Sequence, residues 1–174
     1  MSITDETFFR ENIVEVNKKV RNFLLGTIFV PVMFIALTIL GIWFVPHSYS
    51  ISILCYSLCS SLLYSFLLKK NVSNVLLMYL GVIFSSIFVF LLSMDGVILI
   101  SISYAFPPFV ACLYYNKRLT RYTTLVCFGL AVYAYWLRSN NADLVVHGIY
   151  GRVEYFIRYV IGLIIEYAFL FALS

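Results

Sequence analysis

Six long apolar stretches separated by short polar connections dominate the chain: about Phe23 to Val45, Tyr49 to Leu68, Val75 to Ser93, Val97 to Tyr115, Thr123 to Leu137 and Val153 to Leu173. Most approach the ~20 residues that a helix needs to cross the hydrocarbon core of a bilayer. The fifth is the shortest, and is expected to span a locally thinned bilayer with Arg121 and Arg138 snorkelling from its two ends. Ahead of these stretches the pattern changes. From Ser2 to about Val20, Phe8, Phe9, Ile13, Val16 and Val20 recur at near-helical spacing among Asp5, Glu6, Arg10, Glu11, Glu15, Lys18 and Lys19, which predicts a short amphipathic helix. Ser2 with Asp5 has the form of a capping box. Such a helix either lies on the inner leaflet as an anchor or docks on a partner. The expected fold class is all-α: an amphipathic cytoplasmic helix over residues 1–20, then an integral membrane bundle of six transmembrane helices over residues 21–174.

Composition strengthens this reading. The chain is 63% hydrophobic and only 11% charged, where a soluble domain carries roughly one-quarter charged residues. That much apolar surface needs lipid as its solvent, and no room is left for a separate soluble domain. The net charge of +4 sits in clusters. Lys18, Lys19 and Arg21 precede the first stretch, Lys69 and Lys70 follow the second, and Lys117, Arg118 and Arg121 follow the fourth. The alternate connections, Pro46 to Ser48, Met94 to Gly96 and Arg138 to Arg152, hold only Arg138 and Arg152 as cations. Because basic loops stay with the cytosol, both termini are expected on the cytoplasmic side of a bacterial inner (plasma) membrane. Trp43 and Trp136 fall at the outer boundary, where amphipathic rings prefer to sit. Clusters at helix ends are not the basic stripe of a nucleic-acid-binding surface. The N-terminal segment lacks the apolar core of a cleavable signal, so the first membrane helix is expected in the mature protein.

The candidate chemistry is sparse. Glu166 lies near the middle of the sixth stretch, where an unpaired carboxylate is unfavourable by at least ~2.5 kcal/mol. Two readings stay open: a proton or cation site or sensor switch facing the bundle interior, or a protonated carboxyl bonded to a neighbouring Tyr or Ser hydroxyl. Arg158 follows Glu154 by four residues, the spacing at which side chains meet on one helix face. With Arg152, Asp143, His147, Tyr155 and Tyr159 it forms the floor of a pocket open to the outside, or else it snorkels to the headgroups. His47, His147 and Asp95 share no metal-ligand spacing, and Cys55, Cys59, Cys112 and Cys127 read as free thiols inside apolar runs. No metal or other cofactor is expected. No metalloprotease, phosphate-loop or nucleophile-elbow motif is present, so an enzyme is not expected.

Pro31 and the pair Pro107-Pro108 lie about ten residues into the first and fourth stretches, and each is expected to kink or break its helix. A three-plus-three arrangement with broken helices at corresponding places is seen in inverted-repeat transporters, although Pro also occurs in membrane helices with no transport role. Gly26, Gly81, Gly129 and Gly162 permit close helix contact, but no two stand at GxxxG spacing.

Three local features bear on family. They are Phe9-Arg-Glu-Asn-Ile-Val-Glu-Val-Asn-Lys-Lys-Val20, Pro107-Pro-Phe-Val-Ala-Cys-Leu-Tyr-Tyr-Asn-Lys-Arg-Leu119, and the polar connection before the last stretch. With the six-stretch layout they resemble the N-terminal membrane input region of Firmicutes signalling proteins, particularly clostridial chemoreceptors and diguanylate cyclases. The resemblance implies a sensory role in which a ligand, or a change in the bilayer, alters the packing of the sixth helix. That helix would report to a cytoplasmic output module beyond residue 174 or to a separate membrane partner, with a homodimer as one assembly. Glu154, Arg158 and Glu166 are the switch candidates. The rival expectations are a small oligomeric transporter or channel with a midplane site near Glu166, and a structural companion of another membrane protein.

Overall fold

A computed structural model describes residues 3–43, 45–94, 104–139 and 152–173. The described residues form α1 (Ile3–Gly26), α2 (Phe29–Ile39), α3 (His47–Lys69), α4 (Asn74–Ser93), α5 (Phe106–Cys112), α6 (Lys117–Ser139) and α7 (Arg152–Leu173), with no strand among them. Among the described residues, three segments are long and apolar enough to cross a membrane: Glu11–Ile39, His47–Lys69 and Asn74–Ser93. The second and third match predicted stretches to within two residues, whereas the first begins twelve residues before the predicted Phe23 and ends six before Val45. The fourth stretch lies partly outside the described residues and enters them through a 3-10 turn at Tyr104 and Ala105, followed by α5. The fifth and sixth become α6 and α7, which carry four charged residues each. The chain divides into two compact units, Met1–Phe88 with Leu113–Tyr115, and Val89–Cys112 with Asn116–Ser174.

In the first unit α1 runs unbroken past Val20, so the polar N-terminal segment and the first turns of the apolar stretch form one helix. The break comes at Thr27 and Ile28, four residues before Pro31. A proline has no N–H to offer the carbonyl four residues back and its ring crowds that carbonyl. The carbonyl of Thr27 instead accepts from Val30 N–H at 3.3 Å, while the Thr27 hydroxyl donates to Leu24 O at 2.7 Å. The helix then resumes as α2 with Pro31 in its first turn, where the missing donor is harmless. The α2 helix ends in a left-handed glycine, Gly41 at φ +69°, with Ile42 N–H donating back to Leu37 O at 3.1 Å. Asn71 plays the same part after α3 at φ +52°, its successor Val72 donating to Leu67 O at 3.3 Å. Both are Schellman endings, open to residues that tolerate positive φ.

From Ile13 onward the amphipathic stripe of α1 faces the rest of the chain. Ile13, Val16, Val20 and Leu24 are buried within their own unit, with Asn17 fully buried among them. These positions are taken up by contacts inside the chain, while the side chains of Phe8 and Phe9 lie outside the described residues. Opposite it, α3 buries Ser57, Ser60, Ser61 and Tyr64 and exposes Leu58, Leu62, Leu63 and Phe66. The inward serines bond to carbonyls of their own helix, as Ser57 does to Ile53 O at 2.9 Å and Ser61 to Ser57 O at 2.7 Å. Small hydroxyl residues inside and large apolar residues outside is the packing of helices in lipid, where burial of apolar surface gives no drive and close approach does.

In the second unit α6 packs against both α5 and α7. Asn116 starts α6 by accepting from Leu119 N–H at 3.1 Å through its side chain, an N-cap bond. Pro107 and Pro108 fall in the first turn of α5, so they open a helix rather than bend one. Between α6 and α7 the contact is aromatic: Phe128 meets Tyr167 at 5.4 Å, Tyr135 meets Tyr159 at 4.9 Å, and Trp136 meets Phe156 at 5.3 Å between ring centroids. The descending α7 numbers against ascending α6 numbers give an antiparallel register. Such ring pairs add about 0.5–1.5 kcal/mol each beyond their buried area.

Candidate functional site

The α7 helix turns one narrow face to its own unit. Leu163 and Tyr167 are buried there, and the Tyr167 hydroxyl donates to Tyr104 O at 3.3 Å. The other faces are open, and on one of them Glu154, Arg158, Gly162 and Glu166 recur every four residues, all exposed. A period of four traces one ridge along a helix, so the three charged groups and the glycine share a row. At its start Arg158 Nη2 donates to Glu154 Oε1 at 2.9 Å. The spacing of four thus gives the ion pair that the sequence predicts, but both partners remain more than half exposed. At Gly162 an added Cβ would meet nothing within 4 Å, leaving the backbone accessible to a second helix. Glu166 ends the row, one turn beyond Gly162.

Glu166 is thus brought onto the outer surface of its unit, and not to the interior-facing position of the first of its two readings. The reason is rotational. Tyr167 holds the inward face through Phe128 and Tyr104 with Leu163 buried beside it, and Glu166 lies about 100° from Tyr167 and about 60° beyond Leu163 around the helix. The structure therefore aligns Glu154, Arg158 and Glu166 on one ridge, but leaves the pair and the lone carboxylate two turns apart. Of the pocket floor expected around Arg158, Asp143 and His147 lie outside the described residues, as does Asp95. Tyr159 is engaged with Tyr135.

Arg138 is the residue that sequence reasoning misplaced most. It was expected to snorkel outward, yet it is buried at 4% exposure with its guanidinium 5.5 Å from the Tyr135 ring centroid. Stacking on an aromatic face suits the weakly hydrated, planar guanidinium. Near it in the same unit the Ser93 and Tyr104 hydroxyls bond to each other. Arg121, at the other end of α6, is exposed and lies over Phe171 at 5.7 Å.

The first unit holds a second buried polar group that the sequence reading passed over. Asn17 Oδ1 accepts from the Tyr114 hydroxyl at 2.8 Å and the Tyr64 hydroxyl at 3.2 Å, while its Nδ2 donates to Asn74 O at 3.0 Å. One amide thereby joins α1, α3, the start of α4 and the Leu113–Tyr115 segment. The signal was present: Asn17 falls on the apolar side of the stripe, where a polar residue needs a built partner. Among the described residues no group of His, Cys, Asp or Glu is arranged to hold a metal ion. The four cysteines are free thiols, Cys127 buried and the others exposed. Comparison of the chain with family models, with curated proteins and with solved structures gives no match.

Proposed function

We propose that the chain is a membrane-embedded sensory input domain of six transmembrane helices, its termini cytoplasmic, in which a stimulus changes the packing of α7. The change passes along α7 to an output module or to a separate membrane partner, as in the Firmicutes input regions that the layout resembles. Three helices of membrane-spanning length and apolarity, serines turned inward on α3, and the alternation of basic connections support the membrane reading. The observation that carries the signalling reading is the exposed row on the last helix. A ligand or bilayer change shifts an equilibrium only as far as it distinguishes the two states. Covering or uncovering Glu166 in hydrocarbon is worth at least ~2.5 kcal/mol, roughly 70-fold in such an equilibrium. One side chain of this kind is enough to set a switch.

The test joins Ser174 to a reporter enzyme activated by dimerisation and compares Glu166→Gln and Arg158→Ala with the parent in cells. A severalfold change in basal output is expected for Glu166→Gln, with a smaller one for Arg158→Ala. Equal output in all three would remove α7 from the mechanism. The same exposure of Glu166 favours a second reading, in which several copies pack through α7 and the carboxylates line a shared pathway, giving an oligomeric channel or small transporter. Flux into proteoliposomes that disappears in Glu166→Gln supports this second reading, and tight vesicles support the first.

A further inference from the structure

The α6–α7 pair carries a cleft on a side of α7 that the polar row does not occupy. Its volume is about 150 Å³, and Thr124, Leu125, Phe128, Ile164, Tyr167 and Phe171 line it. Both polar groups in that lining are engaged elsewhere. The Thr124 hydroxyl donates to Thr120 O at 2.9 Å, and the Tyr167 hydroxyl donates to Tyr104 O at 3.3 Å. What the cleft offers is therefore hydrocarbon: two aliphatic side chains and the faces of three rings. Leu125 and Ile164 are 59% and 52% exposed, so the trough opens sideways, as a lipid-facing groove must.

One end of this trough is cationic. Arg121 stands three residues before Thr124 and four before Leu125, hence on the same face of α6. Its guanidinium lies 5.7 Å from the centroid of Phe171, which itself lines the cleft. The ring holds the cation at the mouth without neutralising it. Lys117 and Arg118, in the preceding turn, are also exposed, and Glu166, the nearest carboxylate of α7 in sequence, is not among the lining residues. An open hydrocarbon trough with a positive charge at one end is complementary to an amphiphile with a negative head.

We infer that this cleft binds an anionic phospholipid of the surrounding bilayer, its phosphate against Arg121 and an acyl chain against Leu125, Phe128 and Ile164. The inference rests on the membrane reading above, which puts the Lys117–Arg121 end at the inner leaflet, where basic pockets between helices meet anionic headgroups. Because α7 supplies half of the cleft, a bound lipid would also favour one position of that helix against α6.

The experiment is native mass spectrometry of the full chain from detergent micelles, titrated with phosphatidylglycerol or with phosphatidylcholine of the same acyl chains. Retention of phosphatidylglycerol is expected to exceed that of phosphatidylcholine by about fivefold, the effect of one basic side chain near an anionic lipid. Arg121→Gln is expected to erase the preference and Arg121→Lys to keep it. Leu125→Trp, which fills the trough, is expected to lower retention of both lipids. An excess of inorganic phosphate should leave the lipid bound, since it lacks the chain. Equal retention of the two lipids by the parent protein, a preference that survives Arg121→Gln, or displacement by phosphate alone would each overturn the inference. Should Arg121→Gln not be recovered with parental helicity, the parent's lipid preference and the phosphate competition decide by themselves. A chain that is monodisperse without detergent would instead sink the membrane reading on which the proposal stands.

Discussion

Replacing Asn17 by Ala is the most informative single perturbation of the fold. The side chain is at 0% exposure and makes three hydrogen bonds, two accepted from Tyr64 and Tyr114 and one donated to Asn74 O. Hydrogen bonds between membrane helices average ~0.6 kcal/mol and reach ~1.7 kcal/mol, against ~1 kcal/mol for soluble proteins. Three bonds thus put the loss between about 2 and 5 kcal/mol. Both tyrosine hydroxyls converge on the same Asn17 oxygen, so they are expected to pair with each other once the amide is gone, which puts the loss in the lower half of that range, about 2–3 kcal/mol. Tyr114→Phe leaves Asn17 Oδ1 bonded to Tyr64 and is expected to lose only about 1 kcal/mol. The double variant should lose less than the sum, because both single changes remove the same bond. Unfolding in mixed micelles with increasing dodecyl sulfate, followed by far-ultraviolet circular dichroism, measures all three. If Asn17→Ala unfolds within about 0.5 kcal/mol of the parent, the range left to surface positions, the amide does not join these elements.

Gly81→Ala would place a methyl carbon 2.7 Å from Val20 Cγ1 and 3.3 Å from the Tyr64 ring. It is expected to destabilise by about 1–3 kcal/mol in the same unfolding assay, with partial recovery in Gly81→Ala/Val20→Ala. Pro31→Ala returns an N–H for the Thr27 carbonyl, so spin labels at Lys19 and Met33 should move apart as α1 and α2 become one straighter helix; an unchanged distance would mean that the proline does not cause the break. Glu154→Gln removes an exposed pair of spacing four and should shift stability by less than about 0.5 kcal/mol, since such pairs are worth ~0.3–0.5 kcal/mol.

The sequence made the local geometry legible and left the facing of helices largely hidden. Apolar length and helix-breaking residues located α3, α4, α6 and α7 to within a few residues, except that α6 begins six residues before the predicted Thr123. The spacing of four announced the contact of Glu154 with Arg158. The break before Pro31 followed from the missing N–H. Which side of each helix packs inward did not follow, because the periodic contrast that reveals an inner face in water fades when both faces are apolar. Arg138 shows the same difficulty at a helix end: its position suggested headgroups, and an aromatic ring from its own helix decided otherwise.

A different signal was available for these faces. In α3 the inward residues Ser50, Ser57, Ser60, Ser61 and Tyr64 recur at helical spacing, as do Thr120, Thr123, Thr124, Ala131 and Ala134 in α6. Small and hydroxyl-bearing positions mark where helices approach, and large aliphatic ones mark where lipid lies. From that rule α7 departs at its glycine and its carboxylate. It buries Leu163 and Tyr167 and leaves Gly162 and Glu166 outside. Gly162 and Glu166 share the outside of the unit with Ile157, Ile161, Ile164 and Ile165, so most of the surface of α7 is open to something beyond that unit. This arrangement, more than the charge of Glu166 taken alone, is what recommends α7 for the signalling role proposed above.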